Sequence, residues 1–268
     1  MTNTQIPVVM TFAGNDPTGG AGLQADIEAI ASMGCHAAPV VTAITVQDTS
    51  NLSHFEAVSS SLVTEQARAV LNDMPVSAIK IGMLGSIDNV EAIANIIKDY
   101  PDIPVVLDPI LRAGGGSHLA TQELVAAMIE RLFPLTTLLT PNSEEARSLA
   151  PEADTLDACA QEILDYGCEL VLITGTHENS DSVDNRLYAN HRLLEVFSWE
   201  RLPYTYHGSG CTLASAIAGL LGQGLEPFTA ISEAQEYAWE ALKQGYRLGM
   251  GQHLPNRLFW ARGDEVQG

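Results

Sequence analysis

The sequence predicts an α/β fold: a mainly parallel central sheet flanked by helices on both faces, with a small antiparallel hairpin near one edge. Three observations carry that prediction. Short β-branched runs alternate with helical patterns along the whole chain, the signature of successive strand–helix–strand units. The 268 residues, 46% hydrophobic and 17% charged, suffice for one large core. No repeat, low-complexity tract or linker divides them, so a single domain over residues 1–268 is expected, with 1–6 as a flexible tail.

The elements follow in order. "VVMTFA" (8–13) reads as a strand and leads through a glycine-rich loop to a helix near 21–33, where Leu23, Ile27 and Ile30 recur at helical spacing. "APVVTAITV" (38–46) is a buried strand, followed by a helix near 63–74 and a strand "AIKIGM" (78–83). A helix near 88–99 then precedes "VVLD" (105–108), and one near 121–132 precedes "TLLT" (137–140). Two helices, near 143–150 and 155–166, lead to the strand "LVLIT" (170–174). "NRLYA" and "LLEVFSW", on either side of Asn190–His191, form the hairpin. Helices at 211–222 and 229–248 close the chain, the first stopping at Gly222 and Gly224.

Charge removes several functional classes. Thirty-three Asp and Glu against 13 Lys and Arg leave a formal charge of −20, with no basic face for nucleic acid or anionic lipid. The same field repels anionic substrates, so phosphate chemistry here requires a metal ion or local N–H donors. No run of about 18 apolar residues suggests a membrane span. "MTNTQIPVVM" has no secretory pattern, and Cys35, Cys159, Cys168 and Cys211 show no metal-type spacing. A cytoplasmic protein with reduced thiols is expected.

Ligands of open α/β sheets collect beyond the carboxyl ends of the strands. The residues there are Gly14–Asp16, Gln47, Met83, Asp108, Asn142 and Thr174–Gly175. The first loop, "AGNDPTGGAGLQAD", lacks the G-x-G-x-x-G spacing of a dinucleotide site. Asp26 lies on the apolar stripe of its helix, where a carboxylate needs backbone N–H groups, a cation or a ligand as partner, or else stabilises its own loop. Gln47 offers a donor and an acceptor, matching an amino group beside a ring nitrogen, although it can equally begin a turn. Asp108 and Glu145, from neighbouring loops with Asn142 close by, suit Mg²⁺, which takes few protein ligands; an acid in a first helical turn is the plain alternative for Glu145.

"HGSGCT" (207–212) places Gly208, Ser209, Gly210 and Cys211 where a helix begins. Glycines there let backbone approach a ligand, and successive free N–H groups make an anion nest suited to a phosphoryl group in transfer. A thiol at a helix start tends to have a lowered pKa, so Cys211 is a candidate base, or simply shapes the hole. His207 reads as a hydrogen-bonded structural residue.

Taken together, "AGNDPTGGAGLQADIEAIASMGCHAAPVVTAITVQDT", "KIGML", "LDPIL", "LLTPNSEEA" and "HGSGCTLASAIAGLL" resemble the hydroxymethylpyrimidine/phosphomethylpyrimidine kinases of thiamine biosynthesis, within the ribokinase-like superfamily. The resemblance runs from about residue 8 to 250. It implies ATP-dependent transfer to the hydroxymethyl group of 4-amino-5-hydroxymethyl-2-methylpyrimidine, then to the monophosphate. It implies that Gly14, Asp26 and Gln47 hold the aminopyrimidine, with Met83 packed on its ring. Gly208 to Cys211 become the anion hole, with Cys211 as base. Asp108 and Glu145 serve Mg²⁺, and Asn142, Thr174 and Gly175 face ATP. Relatives are often dimers, so a homodimer is implied too.

Three departures stand out. The family usually carries "KGGH" after its sixth strand, where this chain has "TGTH", so Thr174 replaces a phosphate-facing lysine. After Asp108 the chain reads "RAGGGS", with Arg112, and near the hairpin "VDNRLY" replaces an aspartate pair. A pyridoxal-type kinase on the same scaffold and a catalytically weak pyrimidine-binding sensor are the competing readings.

Overall fold

A computed structural model of the chain describes residues 6–112 and 120–261. Nine strands form one sheet: β1 (Val8–Asn15), β2 (His36–Gln47), β3 (Leu52–Ala57), β4 (Val76–Ile81), β5 (Val105–Leu107), β6 (Leu138–Leu139), β7 (Leu170–Ile173), β8 (Ser182–Ala189) and β9 (Arg192–Glu200). Their order across the sheet is β3-β2-β1-β4-β5-β6-β7-β8-β9. The six from β2 to β7 run parallel, whereas β3, β8 and β9 join antiparallel.

The central strands are apolar on both sides because helices cover both faces. In β1, Met10 and Phe12 pack into one core and Val9 into the other, as a period of two requires. The first core receives α2 (Ser60–Asp73), α3 (Ile87–Lys98), α4 (Gln122–Arg131), α5 (Ser143–Leu149) and α6 (Leu156–Asp165). The second receives α1 (Gly22–Ser32), α7 (Ser209–Gly222) and α8 (Pro227–Lys243). Every residue of α7 from Cys211 to Leu221 is buried. Such a helix is apolar all round because it is covered all round.

Two expectations are corrected. Antiparallel strands lie at both ends of the sheet, not one: β3, "LSHFEA", pairs with β2 although no apolar run announces it. An edge strand with polar, largely exposed side chains can form by backbone pairing alone, so periodicity does not reveal it. The last long helix also ends at Lys243 rather than 248; Tyr246 there bridges to Leu254 instead. Residues 1–5 of the expected flexible tail lie outside the described residues.

The parallel order reverses beside β1, since β2 lies on one side of it and β4 on the other. That reversal opens a crevice at the carboxyl ends of the strands, where the loops diverge.

Candidate active site

One cavity of about 530 Å³ lies at that edge. Gly208 to Cys211 form one of its walls. Gly208 caps α7 with φ +85°, and a Cβ there would lie 1.9 Å from the Gly20 carbonyl oxygen, so only glycine fits. The helical ladder begins with Thr212 N–H donating to the Gly208 carbonyl at 2.9 Å. The N–H groups of Ser209, Gly210 and Cys211 therefore stay unpaired among the described residues at the positive end of a buried helix. Gly210 is less constrained than expected: a Cβ there would meet Asp108 Oδ2 at 3.6 Å, an ordinary contact.

Facing this wall are two carboxylates. Glu145 is held by both oxygens: Oε2 accepts from Asn142 N–H and Oε1 from Leu111 N–H, each at 3.0 Å. Asn142 reciprocates by accepting from Glu145 N–H at 2.9 Å, a complete capping box for α5. Burial and the neighbouring Asp108 push the Glu145 carboxyl up to about 7. Burial also pushes Asp108 up to about 6, against the pull of Lys80 and of hydrogen bonds from Cys211 and Ile110 N–H. Ile110 reaches that position with φ +34°, a conformation that costs a β-branched residue of order 1–3 kcal/mol. Such strain at a cavity wall fits a backbone held for function.

Cys211 corrects the expectation of a low thiol pKa. Burial pushes it up to about 12, which the Lys80 ammonium only partly offsets. A helix N-terminus lowers a thiol pKa where solvent supports the thiolate; here desolvation prevails.

The opposite wall carries Gly14, Gln47 and Met83. Gly14 leaves room for the Met83 sulfur, which would stand 3.1 Å from a Cβ at that position. Asn142 and Thr174 line the cavity as well. Two expected residues do not. Asp26 is fully buried behind the wall, its carboxylate taken by Lys80 Nζ at 2.9 Å, Ser215 Oγ at 2.6 Å and Thr11 Oγ1 at 2.5 Å. Its partner is thus a cation and two hydroxyls of the protein. Gly175 packs against β8, where a Cβ would lie 2.3 Å from the Asp184 carbonyl oxygen, and its N–H donates to Asn185 Oδ1 at 3.1 Å.

Lys80 and Arg257 were not singled out by the sequence, and Asp16 was placed at the sheet edge without a role. Lys80 sits inside the apolar run "AIKIGM", and a lysine in a buried strand is itself a signal that an acid must meet it. Asp16 joins the first loop to the anion wall through His207 Nε2 at 2.8 Å while accepting Thr18 N–H and Ala21 N–H, each at 2.8 Å. These bonds outweigh burial and hold its carboxyl below the usual range. Arg257, fully buried, donates to Thr212 Oγ1 at 2.9 Å and Gly19 O at 3.2 Å, tying the same two segments from the chain's far end. Of the cations at the rim, Arg201 spends its guanidinium on carbonyls of Thr176, Glu178, Ser180 and Ser182. Arg112 stands 4.0 Å from Glu144, half-exposed.

The chain matches the family described as phosphomethylpyrimidine kinase over residues 16–256. It is 36% identical over 253 residues to a hydroxymethylpyrimidine/phosphomethylpyrimidine kinase of Synechococcus elongatus, covering 92% of this chain and 95% of that one. Identity to a thiamine biosynthesis bifunctional protein, ThiED, of Geobacter sulfurreducens is 37% over 258 residues, or 94% of this chain. The chain spans about half of that protein's length, 52%. Among solved structures, a Clostridium difficile phosphomethylpyrimidine kinase superposes with TM-score 0.76 at 31% identity, covering 89% of this chain and 100% of that one. A Bacillus subtilis pyridoxal kinase in complex with ADP superposes with TM-score 0.84 at 30% identity, covering 94% and 98%.

Proposed function

Since the chain belongs to the phosphomethylpyrimidine kinase family, we propose that it transfers the γ-phosphoryl group of ATP to the hydroxymethyl group of 4-amino-5-hydroxymethyl-2-methylpyrimidine, and then a second one to the monophosphate, in thiamine biosynthesis. The observation that carries this is the single cavity with unpaired helix N–H groups on one wall and Gln47 and Met83 on the other. Such a cavity would bring an anion and a small nitrogen ring together.

Phosphoryl transfer asks the protein mainly for position and charge. The bond that forms joins the hydroxymethyl oxygen to the γ-phosphorus; the bond that breaks releases ADP. The N–H groups of Ser209, Gly210 and Cys211 stabilise the charge on the transferring oxygens. The hydroxyl proton passes to Cys211 as the base, whose thiolate burial disfavours, pushing the thiol up to about 12, and which the Lys80 ammonium favours. Cys211 thus both orients the hydroxyl and takes its proton.

Two buried carboxylates at one cavity wall, with Asp108 raising Glu145, form a donor set suited to a cation, and Asp108 and Glu145 would hold Mg²⁺. When bound, Mg²⁺ neutralises phosphate charge, which matters in a chain of charge −20 whose Thr174 replaces a lysine. Asn142 and Thr174 line the cavity, where they would face the phosphates of ATP. Trp199, Gln235 and Trp239 also line the cavity, and the two tryptophan rings would receive the nucleotide base.

No described helix is long and apolar enough to cross a membrane, and all four cysteines are free and buried. A cytoplasmic setting and small-molecule partners belong to the same proposal, and the charge of −20 disfavours nucleic acid. The implied homodimer belongs to the same proposal, and sedimentation tests it. A coupled ADP-release assay, with the pyrimidine, its monophosphate and pyridoxal as separate acceptors, tests the activity. Turnover on the two pyrimidines should exceed that on pyridoxal; the reverse ranking would favour the pyridoxal-kinase reading, and binding without transfer the sensor.

A further inference from the structure

Thr45, two residues before Gln47 on β2, is buried and borders the cavity. Its hydroxyl donates to the Asn15 carbonyl oxygen at 2.8 Å, where β1 ends. A threonine hydroxyl has one proton, and that bond uses it. Toward any other neighbour Thr45 Oγ1 can only accept. The neighbour is Gln47, whose Nε2 donates to it at 2.9 Å.

Thr45 thereby fixes what a glutamine by itself leaves open, namely which end of its amide points which way. Turning the amide over would set two acceptors, Gln47 Oε1 and Thr45 Oγ1, against each other. The amide nitrogen is therefore held toward Thr45. Oε1 has no hydrogen-bond partner among the described residues, and the second N–H of Nε2 is also unspent. What a ring in the cavity meets is a fixed acceptor beside a fixed donor. An exocyclic amino group next to a ring nitrogen satisfies both. A pyridine bearing a phenolate in place of that amino group instead sets oxygen against oxygen.

Resting on the activity proposed above, we propose that Thr45 is a specificity-determining positioning residue: by accepting from Gln47 it locks the amide in the orientation that reads an aminopyrimidine edge and disfavours a hydroxypyridine. Thr45 touches neither reacting atom. It acts through Gln47.

The test compares kcat/KM for the aminopyrimidine and for pyridoxal in the full-length wild type, Thr45→Val and Thr45→Ser. Thr45→Val keeps the side-chain shape and removes the acceptor, which frees the amide to turn. The aminopyrimidine-to-pyridoxal ratio should fall about tenfold, the factor set by one hydrogen bond of ordinary strength. Thr45→Ser, which retains the hydroxyl, should keep the wild-type ratio. A merely structural role for Thr45 would lower both substrates together and leave the ratio unchanged, and that result overturns the inference. An equal fall in Thr45→Ser overturns it too, because the methyl group and not the hydroxyl would then matter. Should Thr45→Val not fold, Thr45→Cys, with its weakly accepting sulfur, must show the same direction of change. A wild type with no turnover on the aminopyrimidine would instead defeat the functional reading itself, a separate and visible outcome.

Discussion

Lys80 and Asp26 form an ion pair with no exposure on either side chain and an N–O distance of 2.9 Å. Substituting Lys80→Met removes the ammonium while leaving the apolar stem. Asp26 would keep its bonds from Ser215 and Thr11 but lose its ion-pair partner. Breaking a buried pair from one side costs about 3–5 kcal/mol, because the remaining charge stays desolvated. Unfolding entropy near 2.1 cal/mol/K per residue, over 268 residues, converts that loss to a fall in Tm of roughly 5–9 °C. Thermal unfolding followed by circular dichroism reads it directly. The double variant Lys80→Met/Asp26→Asn removes both charges while leaving an amide for the two hydroxyls. It should recover more than half of the lost stability. A fall below about 2 °C in the single variant, or a double variant no more stable than the single, would refute the claim that charge compensation holds this part of the core together.

Other predictions address the site. Cys211→Ala should lower kcat by about 10²-fold with the fold intact; an effect under threefold in steady-state assays would retire Cys211 from proton transfer. Glu145 has a folded-state pKa near 7, above its ordinary 4.5. Its stabilising contribution is thus complete below about 4.5 and lost as pH rises through 7, where the buried carboxyl must ionise without metal. Metal-free wild type should accordingly gain Tm relative to Glu145→Gln as pH falls from 8 to 5, and parallel melting curves would contradict the assignment. Restoring a cation with Thr174→Lys should lower the KM for ATP several-fold at low salt, an effect that high salt weakens. An unchanged KM in initial-rate measurements would place the phosphates elsewhere.

Much of the fold was legible because parallel strands under two helical layers must be apolar throughout, and "VVMTFA" and "LVLIT" say so directly. The edge strand β3 was not legible, since "LSHFEA" carries no alternation that burial would impose. The candidate site was legible where chemistry depends on backbone. Gly208 before a helix implies free N–H groups whatever packs around it, and the structure sets them in the same cavity as Gln47, Met83, Asp108 and Glu145. For Asp26 the apolar stripe pointed inward correctly, and of the partners it left open the structure supplies a cation, Lys80, fifty-four residues away. Gly175 lies outside the cavity lining, and its small size lets it pack against Asp184.

By itself the sequence determined the order and type of most elements, the acidic balance that disfavours nucleic acid, and the helix start that offers N–H donors. Those properties are local, set by periodicity, composition and backbone chemistry over a few residues. Only the tertiary structure decided that Cys211 is a protonated thiol, that Asp26 answers to Lys80, and that Thr45 orients Gln47. Each of these depends on desolvation or on a donor from a distant strand, and the energy of a buried polar group is set by what surrounds it in space.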